Sequence, residues 1–107
     1  MSEFVICLTT VGSRRDAEKI ARRLVREKLA ACVNLLPGAL SFYHWKKKLR
    51  RDREVVLIMK TAASKISSLE KELQKIHPYD LPEFVVLPMI GGSRRYLNWL
   101  KGEIRSQ

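Results

Sequence analysis

Four thiol and imidazole side chains in this sequence are soft or borderline metal donors: Cys7, Cys32, His44 and His77. Glu54, Asp80 and Glu83 add carboxylates. Cysteine with histidine suits copper and zinc, yet no two of these donors stand at a local spacing such as CxxC or HxxxH. A metal site would therefore have to be assembled from separate segments, or from separate copies of the chain. Each donor also has a plainer reading. Cys32, between Ala31 and Val33, fits a small buried hydrophobe. His77, directly before Pro78, fits a helix-end residue that hydrogen-bonds exposed carbonyls.

Catalysis finds less support. Residues 10–15 (TVGSRR) open a helical pattern and could hold an anion on backbone N–H groups, but the glycine-rich signature of small phosphatases is missing. No Ser/His/acid or Cys/His pairing is evident from spacing, and Arg14 and Arg15 read as solvated residues of a helix start. The sequence is read as that of a non-enzyme. No apolar run is long enough to span a bilayer, and no basic-then-apolar leader is present, so a cytoplasmic protein without membrane contact is expected. Two cysteines in apolar surroundings fit reduced thiols in that compartment.

The charge is lopsided, with 21 Lys and Arg against 11 Asp and Glu, a net +10 over 107 residues. Such a field attracts polyanions without specifying a fold. Residues 46–53 (KKKLRRDR), beside Phe42, Tyr43 and Trp45, resemble a basic patch with aromatics. Specific nucleic-acid binding is nevertheless disfavoured. An RNA-recognition sheet stacks bases on aromatics of its first and third strands, and here residues 55–59 (VVLIM) offer none. The basic run reads as a solvated tip whose charges discourage edge-to-edge pairing.

The elements that must position these residues follow from pattern. Residues 3–10 (EFVICLTT) are apolar on both pleat faces, as in a buried strand. Ser13 caps a helix with Asp16 as its reciprocal partner. Ala17, Ile20, Ala21, Leu24 and Val25 line one face of that helix, and Glu18/Arg22 and Arg23/Glu27 form i,i+4 pairs on the other. Two long strand-like arms follow, residues 31–45 and 54–61. Fifteen extended residues would reach roughly 50 Å, beyond the diameter of about 35 Å expected of a domain this size. Pro37-Gly38 marks a bulge or bend. The tip holds no Gly or Asn, which points to a longer loop or to charged strand ends running past the core rather than to a tight turn.

Ser64 is read as the cap of a second helix, with Ile66, Leu69, Leu73 and Ile76 as its stripe and His77-Pro78 as its end. Residues 83–88 (EFVVLP) form a fourth strand. Ser93 caps a last helix with Tyr96, Leu97, Leu100 and Ile104 inward. The order β-α-β-β-α-β plus a helix is an α+β, ferredoxin-like sandwich over a single domain, residues 1–107. Its helix-free sheet face is also apolar, so a second copy of the chain is expected to cover it.

Residues 29–34 (LAACVN), Pro37-Gly38, Trp45, Glu54 through Lys60-Thr61, residues 77–83 (HPYDLPE), Leu87-Pro88 and residues 96–100 (YLNWL) resemble, in order and spacing, the CutA family of divalent-cation tolerance proteins. One departure is Lys47, where the family usually carries glycine. The resemblance implies a homotrimer whose hairpin arms pair across subunits and an association with copper or another divalent ion. It also implies a likeness to PII signalling trimers, which bind small ligands between subunits. On the family motif positions, Cys32, Trp45, Glu54, Lys60, His77 and Tyr79 are expected to line an intersubunit cleft, with His77 and Cys32 as metal contacts. The alternatives are a PII-like metabolite-binding trimer without a physiological metal and, behind it, a basic nucleic-acid-binding module.

Overall fold

In the computed structural model, which describes residues 2–104, four strands and three α-helices follow the expected order. Strand β1 (Phe4–Val11) is followed by helix α1 (Arg14–Arg26), β2 (Cys32–Trp45), β3 (Lys48–Ala62), α2 (Ile66–Ile76), β4 (Val85–Pro88) and α3 (Arg94–Gly102). The sheet order is β2-β3-β1-β4, and every pairing is antiparallel. The fold is α+β with the ferredoxin-like arrangement.

Strand alternation sorts the sheet into two faces. Val5, Cys7, Val11, Val55, Leu57 and Met59 pack with Ala17, Ile20 and Leu24 of α1 and Leu69 and Leu73 of α2 into the main core. On the opposite face Ile6 stands between Lys60 and Leu87, Leu8 between Ile58 and Val85, and Leu36 against Val56. Helix α3 covers one end of that face through a cluster of Phe4, Ala31 and Leu100. Leu36, Val85 and Leu87 remain exposed. Tyr96 is 39% exposed rather than inward, so the buried stripe of α3 narrows to Leu100, with Leu97 and Ile104 packed beside it.

The hairpin is as long as its composition implied. Strands of 14 and 15 residues stretch the molecule to 45 × 25 × 22 Å. The register between β2 and β3 shifts between Leu36 and Ala39, which places the bulge at Pro37-Gly38, with Gly38 at φ 85°. The tip departs from expectation. Trp45 pairs with Lys48, leaving Lys46 and Lys47 as a two-residue turn at φ 52° and 66°. Both lysines occupy the left-handed region that such hairpin turns demand and that Asn-Gly ordinarily supplies. The charged strand ends do run past the core, as read from the sequence.

Two helix details also differ. Ser64 does not cap α2; residues Ala63–Lys65 form a 3-10 turn that leads into it, with no side-chain cap. Arg23 pairs with Glu72 of α2 at 2.9 Å, joining the two helices, while Glu18 takes Arg22 at 3.1 Å as expected. Ser13 and Ser93 both cap as expected, accepting from the N–H groups of Asp16 and Tyr96.

Candidate functional site

Where α2 stops, Pro78 forces His77 out of helical geometry, at φ −76° and ψ 135°. The imidazole then turns back to the end of β1, and its Nε2–H donates to the Thr10 carbonyl at 2.8 Å. Nδ1 accepts from the Tyr79 N–H at 3.1 Å. Both ring nitrogens are thus engaged, and the ring lies edge-on to Tyr79 at 4.8 Å between centroids. The Tyr79 hydroxyl donates to Glu54 Oε2 at 2.7 Å. Burial, with the Glu54 hydrogen bond behind it, pushes the Tyr79 phenol well above its usual range, so Tyr79 stays a donor. Gly12 makes room for this contact, because a Cβ there would sit 3.2 Å from the Tyr79 hydroxyl.

Glu54 is only 5% exposed and enters no ion pair among the described residues. It stands at the root of the hairpin, beside a cavity of about 790 Å³. The arm contributes Ser41, Tyr43 and Trp45 from β2 and Arg50, Asp52 and Glu54 from β3; the loop after α2 contributes Tyr79, Asp80, Leu81 and Glu83. The Tyr43 hydroxyl donates to Asp52, and that bond raises its own pKa. Arg50 lies 3.9 Å from Asp52.

The six residues expected in one cleft fall into two groups within a subunit. Trp45, Glu54 and Tyr79 line the hairpin-root cavity, and His77 supports Tyr79 from behind. Cys32 and Lys60 pair with each other near the opposite end of the arm, roughly 40 Å along β2 from Trp45 at strand spacing. There the Cys32 thiol faces Asn34 Oδ1 at 3.7 Å, and Lys60 Nζ lies 5.8 Å from the Tyr96 ring centroid. Cys7 is fully buried in the core. Among the described residues no three His, Cys, Asp or Glu side chains converge closely enough to hold a metal ion. One subunit alone does not fit the metal expectation at Cys32 and His77.

Sequence reading missed Tyr43, Asp52 and Arg50 as cavity residues. The signal was the alternation along the arm, which puts Ser41, Tyr43 and Trp45 opposite Asp52, Arg50 and Lys48. Arg14, by contrast, is solvent-exposed and pairs with Glu18, as expected of a helix start.

The sequence profile of the CutA1 divalent ion tolerance protein family matches residues 5–103. The chain belongs to this family. It is 43% identical to the divalent-cation tolerance protein CutA of Thermus thermophilus, over 90% of this chain and 93% of that one. It is also 43% identical to the chloroplastic protein CutA of Arabidopsis thaliana, covering 95% of this chain but 56% of the longer plant protein. The crystal structure of CutA1 from Oryza sativa superposes with a TM-score of 0.96 at 38% identity, covering 99% of this chain and 97% of the rice chain. CutA proteins are named for divalent-cation tolerance rather than for a reaction. No described helix is long and apolar enough to cross a membrane.

Proposed function

We propose that the protein works as a homotrimer in the response to divalent metal ions, copper foremost, as a binding protein without a catalytic step. The observation that carries the assembly is the sheet face away from α1 and α2. Leu36, Val85 and Leu87 lie 52%, 43% and 43% exposed around Ile6, Leu8 and Ile58. A contiguous apolar face of this kind marks a contact surface, and copies of the same chain are the natural cover for it. Apposed copies would turn the Cys32 and Lys60 region and the hairpin-root cavity into intersubunit clefts lined by Cys32, Trp45, Glu54, Lys60, His77 and Tyr79.

The donor set decides how a metal would be held. Each subunit offers one partly exposed thiol at Cys32, and both His77 nitrogens already have partners. A copper site would draw Cys32 from more than one copy, with His77 shaping the cleft or giving up a hydrogen bond to join. The metal would supply thiolate coordination there. A small-molecule site of the PII type is the second reading, favoured by the 790 Å³ hairpin-root cavity, which falls in the usual range for ligand pockets. The free thiols of Cys7 and Cys32 support a reducing compartment such as the cytoplasm.

Native mass spectrometry of protein purified without chelator tests the assembly, with three copies expected and a monomer refuting it. Copper titration tests the metal. Binding at least tenfold weaker in Cys32→Ser is expected, and unchanged binding in both Cys32→Ser and His77→Ala ends the metal reading.

A further inference from the structure

We propose that the hairpin-root cavity is a site for an organic cation, an ammonium or guanidinium group carried on an apolar body. The inference rests on the small-ligand reading above and names the ligand's chemistry. In a chain of net charge +10, the cavity gathers four carboxylates, Asp52, Glu54, Asp80 and Glu83, against one guanidinium, Arg50. Asp52 is already engaged by Arg50 and by the Tyr43 hydroxyl. Glu54 is not neutralised in this way. It is 95% buried by its 5% exposure, its Oε2 accepts only from Tyr79, and no hydrogen bond reaches its other oxygen among the described residues. That oxygen is not among the fully enclosed unpartnered atoms, and Glu54 lines the cavity. A buried carboxylate oxygen with no partner is a natural place for a cationic hydrogen-bond donor.

The walls select the kind of cation. Tyr43, Trp45 and Tyr79 line the same space, and aromatic walls attract ammonium and guanidinium groups while covering an apolar body. A bare divalent ion fits poorly, because no three of the carboxylates converge. A volume of 790 Å³ also exceeds what a metal ion needs and suits a small organic molecule.

The test uses the full chain with Trp99→Phe, which leaves Trp45 as the one indole. Phenethylammonium is titrated against Trp45 fluorescence, with 3-phenylpropionate and magnesium chloride as controls and native mass spectra recorded on the same samples. Saturable binding of the amine is expected, with the anion and magnesium silent. Binding should weaken at least tenfold in Glu54→Gln and measurably in Asp80→Asn, whose site is exposed and outside any helix or strand. Absence of a saturable response, equal response to the anion, or unchanged affinity in both variants overturns the proposal. Among the described residues Glu54 lacks a cation within one subunit, and a trimer in which a neighbouring copy's Lys60 or basic arm takes that place would give no amine response and overturns the proposal equally. Subunit number and copper binding are read separately, so assembly and metal can fail without the cation site, and the reverse.

Discussion

At the scale of single residues, burial divides the two thiols. Cys7 lies in the core with no exposure, and burial, with the charge of Glu70 adding to it, pushes its pKa from 9.0 up to about 11. The unfolded chain therefore releases this proton earlier than the folded one. Its contribution to stability is whole below pH 9 and is lost as the pH rises from 9 to 11. At about 1.4 kcal/mol per unit the loss reaches about 3 kcal/mol. Denaturant unfolding at pH 8 and pH 10.5 should show a steeper decline for the wild type than for Cys7→Ala; equal declines would remove Cys7 from the account. Tyr79 adds to the alkaline loss in both proteins and cancels in the comparison.

At the scale of elements, the tip of the hairpin holds its turn against local preference. An L-residue in the left-handed region costs about 1–2 kcal/mol, and Lys46 and Lys47 both sit there. Replacing them with Asn and Gly should stabilise the protein by about 1 kcal/mol, read as a higher denaturation midpoint with an unchanged slope. The same turn shows where sequence reading stops. Strands, helices and the bulge at Pro37-Gly38 were legible, because apolar period and proline chemistry are local signals. A Lys-Lys turn carries no such signal, and the pairing of Trp45 with Lys48 imposes it from outside. Ser64 looked like a cap, but the 3-10 turn through Lys65 moved the helix start past it. Arg23 found Glu72 on another helix rather than Glu27 on its own. The site divides likewise. Glu54, His77 and Tyr79 were legible as a motif, whereas the separation of Trp45 from Cys32 depends on the length of β2 between them.

At the scale of the whole molecule, the open sheet face is the surface on which the proposed assembly rests. Leu87→Glu places a charge where Leu87 is 43% exposed, so the subunit should keep its circular dichroism while its native mass falls to one copy. A persisting trimer would move the interface elsewhere. The long arm has a further consequence, for the order in which the chain closes on itself. Trp45 and Lys48 are separated by two residues, and each further rung of β2 on β3 adds a short step to a ribbon already begun. Phe4 must instead find Ala62 across most of the chain. Loop-closure entropy grows with that separation, and contacts of long range are the slow ones. The ribbon that reaches furthest from the core is therefore the segment with the least to wait for. In the proposed trimer, it can present its outer edge to another copy while the first strand is still seeking its place.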